Sequence, residues 1–314
     1  MNSLCSISIK EASDLIYTHE IKPSELVEAH IERINTTDDK LNSFVTVLSE
    51  SALSSSLIAE KEIMSGNYRS PLHGIPIGLK DLYDTAGITT AVGSKIYRNR
   101  VPRKDATVVS RLKEAGAIVV GKLQMHEFAL GATSINPHDG PARNPWDTDR
   151  ITGGSSGGSA SSVAAGQCMA SLGTDTGGSI RIPSALCGIV GLKPTFGRVS
   201  RNGVFPLSWT MDTVGPMTRT VEDSALMLNA MASFDPEDPG SYCHKTEDFT
   251  RKLGFGIKGI TIGVPQEYFY ETTSTEVREA LSEAKKVLQS LGAQVIPISI
   301  PVLEHSLAIS GTIM

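Results

Sequence analysis

Apolar positions along this chain recur with two alternating periods. After Lys22 and Pro23, Val27, Ile31 and Ile34 fall at i, i+4 and i+7, which predicts a helix over residues 9 to 36 with one buried stripe. Residues Phe44 to Leu48 read as a strand. The run GIPIGLKD (74–81) is short and apolar and ends on Lys80 and Asp81, as a buried strand delivering polar groups to a sheet edge would. A helix over 105–115, closed by Gly116, and a buried strand over 117–122 follow. This alternation predicts an α/β fold.

Near the end, GITIGV (259–264) and AQVIPISI (293–300) flank a helix that carries Val277, Leu281, Ala284 and Leu288 on one face. Thr273 and Glu276 read as a capping box at its start, and Gly292 as its stop. Between the two patterned regions, residues 233–248 are rich in Asp, Pro, Gly and Ser and read as a linker or a surface crossing. EHSLAISGTIM at the end reads as the beginning of a further helix, which suggests a fragment of a longer protein.

Composition narrows the picture. With 314 residues, 40% of them hydrophobic, the chain can bury a large core, and 29 glycines imply many close backbone approaches. A net charge of −5 gives no general attraction to nucleic acid or acidic membranes. The basic stretch Arg98, Arg100, Arg103, Lys104 reads as a solvated loop. Four widely spaced cysteines signal neither a metal site nor a disulfide framework, and Cys187 reads as a small core residue. No signal-peptide segment or membrane-length apolar run is present, so a cytoplasmic location is expected.

Two glycine-serine runs carry the candidate chemistry. TGGSSGGS (152–159) continues into helix-forming residues rather than into more linker. It lacks the Gly-Lys-Ser/Thr of a phosphate-binding loop. It matches the G-x-S-x-G of a nucleophile elbow at Ser155 or Ser156, with His244 and His305 downstream, but the preceding ARNPWDTDRIT is too polar to be the required strand. In TDTGGSIR (174–181), Gly177 and Gly178 let consecutive N–H groups converge on one point, and Ser179 stands ready to attack a carbonyl held there. None of the seven histidines lies in either run, so a neutral lysine is the available base. Lys80 and Lys122 both sit at the end of an apolar strand, and the residues alone leave the choice open.

Five ordered blocks, GIPIGLKD, GKLQMHEFALG, ARNPWD, GGSSGGSASSVAAG and LGTDTGGSIRIPSALCGIVGLKPTFGRVSR, followed by GPMTRTVED, together resemble the amidase signature family. The resemblance implies a single α/β/α domain over 1–314 with a large mixed sheet and its C-terminal part missing: an N-terminal helical segment (1–72), a catalytic core (73–232) and the start of a C-terminal strand-helix-strand part (249–314). It implies a Ser-cisSer-Lys triad of Ser179, Ser155 and Lys80, which favours Lys80 over Lys122. It further implies an oxyanion hole from the N–H groups of Thr176, Gly177, Gly178 and Ser179, and support from Ser156, Asp175 and Arg181. No metal or organic cofactor is expected. The implied reaction is amide hydrolysis through an acyl-enzyme on a small-molecule amide. RNGVFPLSWTMDTVGPMTRT looks more like a general amidase than the glutaminase component of an aspartyl/glutamyl-tRNA amidotransferase, which remains the alternative and would bring partner subunits. A truncated, inactive member is a third reading. A homo-oligomer is compatible with each; contact with membrane or direct contact with nucleic acid is not expected.

Overall fold

A computed structural model of the chain describes residues 3–243, 247–270 and 273–313. It divides into two compact units, Met1–Thr250 and Arg251–Met314. The boundary falls just past the linker-like stretch, of which residues 244–246 lie outside the described residues.

The first unit opens with α1 (Ile9–Tyr17) and α2 (Pro23–Leu41), where the periodicity predicted one helix. The break has a local cause: His19 takes a left-handed backbone conformation, and Pro23, which lacks an N–H, starts the second helix where no N–H is needed. Ser8 caps α1 by accepting the Glu11 N–H at 3.1 Å. Val27, Ile31 and Ile34 are buried along α2 as the spacing requires. β1 (Phe44–Val47) follows, and then α3 (Ser49–Met64), a helix the apolar pattern did not announce. Its buried face is Ala52, Ser56, Ala59 and Ile63, mostly small side chains that a hydrophobic stripe search passes over.

Next come β2 (Pro76–Lys80), α4 (Thr107–Glu114), β3 (Ile118–Leu123), α5 (Gly157–Ala164), β4 (Ala170–Asp175), α6 (Arg181–Cys187), β5 (Val190–Gly191), β6 (Thr213–Thr218) and α7 (Val221–Met231). Six strands form one mixed sheet in the order β1-β3-β2-β4-β6-β5. β2 is parallel to β3 and β4, whereas β1, β6 and β5 pair antiparallel. β2 and β4 are buried at every position, as central strands covered on both faces must be. The fold is therefore α/β with a large mixed sheet flanked by helices.

In the second unit, β7 (Thr261–Pro265) and β8 (Gln294–Ile298) pair in parallel, joined by α8 (Thr275–Ser290), and α9 (Ser306–Ile313) follows. The start of α8 corrects one expectation. The helix begins at Thr275, so Ser274 is its cap and accepts the Val277 N–H, while Glu276 is too early to close a box with Thr273. Gly292 ends it with φ +91°. Val277 and Leu281, which the spacing places on one face of α8, are 50% and 43% exposed.

The run at 152–159 is close-packed rather than loose. A Cβ on Gly158 would lie 2.5 Å from the carbonyl oxygens of both Gln124 and Ser43, and one on Gly154 would lie 2.7 Å from the Ser134 nitrogen. These approaches dock the start of α5 against the ends of β1 and β3. Gly158→Ala is therefore expected to lower unfolding free energy by ~1–3 kcal/mol, because rigid backbone atoms must move. Chemical denaturation measures this, and wild-type stability would contradict the packing account.

Candidate active site

Lys80 is the last residue of β2, and the strand carries it in so that the lysine has no exposed surface. Its ammonium donates to the Ser155 hydroxyl at 2.7 Å and to the Thr174 hydroxyl at 2.9 Å. Neither partner is charged. Burial pushes the Lys80 pKa down from 10.5 to about 7, with the more distant charges of Asp212 and Asp175 pulling the other way.

Ser155 is also fully buried and follows a cis Gly154–Ser155 bond. Its carbonyl accepts the His126 N–H at 3.1 Å. The segment ahead of it leaves an exposed two-stranded hairpin, with Asp147–Ile151 solvent-facing throughout, so no buried strand feeds a nucleophile elbow. Of the histidines considered for that alternative, His244 lies outside the described residues, and His305 belongs to the second unit.

The turn 175–181 is organised by one carboxylate. Asp175 accepts the N–H groups of Gly178 (2.8 Å), Ile180 (3.1 Å) and Arg181 (3.3 Å), and two guanidinium nitrogens of Arg181 at 3.0 and 2.8 Å. Burial alone would raise its pKa, but the Arg181 hydrogen bonds and charge outweigh it, aided by the main-chain N–H groups, and hold the carboxyl below its usual range. The N–H of Gly178 is thereby committed to Asp175. This departs from an oxyanion hole that uses all four N–H groups of residues 176–179; those of Thr176, Gly177 and Ser179 have no acceptor among the described residues.

Ser179 is partly exposed, and its hydroxyl has no hydrogen-bond partner among the described residues. Its carbonyl accepts the Ser156 N–H at 3.3 Å, which ties the two glycine-serine runs together main chain to main chain. The Ser156 hydroxyl reaches the Thr174 carbonyl at 3.4 Å. The main chains of Ser156 and Ser179 thus touch, whereas the hydroxyls of Ser155 and Ser179 are not hydrogen-bonded to each other.

Lys122 is placed very differently. Its ammonium donates to the Tyr83 carbonyl (2.6 Å) and the Thr90 hydroxyl (2.8 Å), and lies 3.5 Å from the Asp81 carboxylate. It braces the loop after β2 and touches no serine. Cys187 is buried, with its thiol pushed up to about 12 by burial, as fits a core residue.

Two neighbours of the site were not singled out from sequence. Thr174 stands five residues before Ser179, within the quoted block, but nothing in its type marks it as a lysine partner. Asp212 accepts the Thr176 hydroxyl at 2.5 Å from a segment with no glycine-serine signal. No group of His, Cys, Asp or Glu among the described residues is arranged to hold a metal ion. No helix among them is long and apolar enough to cross a membrane.

One central strand of the α/β sheet thus ends on a buried lysine hydrogen-bonded to a serine, and the turn after β4 carries N–H groups that have no acceptor among the described residues. The comparisons place the chain more closely. The Amidase family model matches residues 25–314, and the chain belongs to that family. It is 46% identical over 303 residues to the A-type subunit of the glutamyl-tRNA(Gln) amidotransferase from Carboxydothermus hydrogenoformans, covering 96% of this chain and 62% of that relative. The chain therefore spans less than two thirds of the relative's length. Among solved structures, a chain of a vestigial protein complex that reveals the evolutionary origins of an s-triazine catabolic enzyme superposes with TM-score 0.94 at 40% identity, covering 98% of this chain and 66% of the other. The peptide amidase of Stenotrophomonas maltophilia superposes with TM-score 0.92 at 33% identity, over 97% and 64%.

Because Lys80 has a folded pKa near 7 and an unfolded value of 10.5, the unfolded chain binds more protons between those limits. The lysine's contribution to stability thus improves as pH rises from 7 toward 10.5. Relative to Lys80→Met, the wild type should gain ~2 kcal/mol between pH 7 and pH 9. Denaturant titrations of both proteins at the two pH values test this; a constant difference would mean Lys80 is charged in the fold.

Proposed function

We propose that this chain hydrolyses a carboxylic amide, with Ser179 as nucleophile, Ser155 as proton bridge and Lys80 as base. The observation that carries the reading is the Lys80–Ser155 contact at 2.7 Å in a site that favours the neutral amine. Neutral Lys80 takes the Ser155 proton as Ser155 takes that of Ser179, and the Ser179 oxygen adds to the amide carbon. The N–H groups of Thr176, Gly177 and Ser179 receive the developing oxyanion. Collapse breaks the C–N bond, and the lysine proton returns through Ser155 to the leaving nitrogen. Water, deprotonated by the same relay, then cleaves the acyl-Ser179 ester to the acid and restores the serine. Asp175 and Arg181 hold the turn in shape, and Ser156 links it to the Ser155 segment.

The names of the relatives favour a second substrate assignment within this chemistry, in which glutamine supplies the amide and ammonia passes to a partner protein. Ammonia release from glutamine only in the presence of such partners would select it; release from simple amides by the chain alone would select a stand-alone amidase. Ser179→Ala and Lys80→Met should each lower kcat by ~10³-fold or more while leaving the fold intact. For the wild type, kcat/KM should rise with pH through an apparent pKa near 7, since only neutral Lys80 accepts a proton. No release from any amide would leave the inactive reading, and equal release by Ser179→Ala would overturn Ser179 as the nucleophile.

A further inference from the structure

Asp212 stands outside both glycine-serine runs, yet it is joined to the parts on which the relay reading depends. It precedes β6 directly, and the next residue, Thr213, pairs with Asp175 across the sheet. Its carboxylate accepts the Thr176 hydroxyl at 2.5 Å, the Leu207 N–H at 2.8 Å and the Ser208 N–H at 3.1 and 3.0 Å. The turn ahead of Ser179 is therefore gripped by two carboxylates: Asp175 holds residues 178–181, and Asp212 holds residue 176. Asp212 also lines, with Thr174, a cavity of about 260 Å³ whose walls include Val204, Pro206 and Trp209. Thr174 is the second hydroxyl that receives the Lys80 ammonium, so the cavity reaches the lysine's own partner.

We propose that Asp212 is a positioning residue of this site: it fixes Thr176, and with it the N–H groups that face the carbonyl oxygen, and it places a negative charge near Lys80. The inference rests on the relay reading above. Two charged groups act on Lys80, Asp212 before β6 and Asp175 on β4, and the lysine in turn acts on the partly buried His126 imidazole after β3. Asp175 already serves five donors within the turn, so replacing it dismantles the turn itself. Asp212 separates the two effects, because its charge and its hydrogen bond can be removed independently.

Asp212→Asn removes the charge while its amide oxygen can still accept the Thr176 hydroxyl, at the loss of the Leu207 N–H bond; Thr176→Val removes the bonded hydroxyl and keeps the charge. The Lys80 side chain is titrated by NMR in lysine-labelled protein, its signal assigned by loss in Lys80→Met, and kcat and KM for amide hydrolysis are followed across neutral pH. In Asp212→Asn the Lys80 midpoint should fall by ~0.5 unit or more, since an opposing negative charge has gone, and the rising limb of kcat/KM should move with it. In Thr176→Val the midpoint should stay, while kcat drops ~10-fold or more with KM nearly unchanged, as expected when oxyanion donors lose their alignment. An unmoved Lys80 midpoint in Asp212→Asn, or wild-type kcat in Thr176→Val, overturns the proposal. The NMR titration needs no turnover, so failure of the hydrolase reading is seen separately, as absent activity with the midpoint still shifted. Should Asp212→Asn not fold, the kcat of Thr176→Val decides alone.

Discussion

A lysine buried among neutral partners is the constraint around which this fold is arranged. Placing an ammonium where water cannot reach costs several kcal/mol unless a counter-charge meets it or the proton leaves. Here the direct partners are two hydroxyls, and the nearest carboxylates act only at longer range. The balance therefore falls near neutrality. That outcome requires an all-buried strand to carry the lysine in, and hydroxyls at fixed distance to receive it. It also requires carboxylates that are occupied elsewhere: Asp175 is spent on Arg181 and main-chain N–H groups, Asp212 on Thr176 and the 207–208 main chain.

Those occupied carboxylates do a second thing. Each anchors part of the turn around Ser179, leaving the N–H groups of Thr176, Gly177 and Ser179 without an acceptor among the described residues. Unpaired N–H groups at a partly open turn are unfavourable unless water or a ligand satisfies them. Rigid anchoring keeps them from relaxing into local hydrogen bonds, which is the condition for binding an oxyanion without reorganisation.

Three of the six strands of the sheet were legible, and β2 and β3 lie within a residue or two of the continuous apolar runs that foretold them, whereas β4, β5 and β6 were not foretold. Nor was α3, since its buried face is built from Ala and Ser, whose burial depends on the close approach of neighbours rather than on hydrophobicity. The break between α1 and α2 was hidden for a related reason: the apolar stripe has the right spacing on both sides of it, and only the left-handed His19 and Pro23 interrupt the helix. At the site, Lys80, Ser155, Ser156, Asp175 and Ser179 stand in glycine-marked motifs, whereas Asp212 enters through tertiary packing alone. Commitment of the Gly178 N–H to Asp175 is equally a matter of geometry, set by how the turn folds back on its own carboxylate.

The two lysines show how far strand register reaches. Lys80 ends one apolar strand and Lys122 is next to last in the other, and the strands lie side by side in parallel, so residue type and local pattern give them equal claims. In the sheet, Leu79 pairs with Lys122 and Lys80 with Leu123. Side chains alternate between faces along a strand, so a one-residue offset sends the two ammonium groups to opposite sides. Leu79 joins the core cluster that includes Tyr83 and Val92, and on that face Lys122 meets the loop carbonyl and hydroxyls of residues 83–90. Leu123 joins the cluster that includes Val163 of α5, and on that face Lys80 meets Ser155 at the approach to the same helix. Counted from the paired glycines Gly78 and Gly121, Lys80 is two positions on and Lys122 one. Even and odd spacing from that pair separates a lysine aimed at the serines from one that braces a loop.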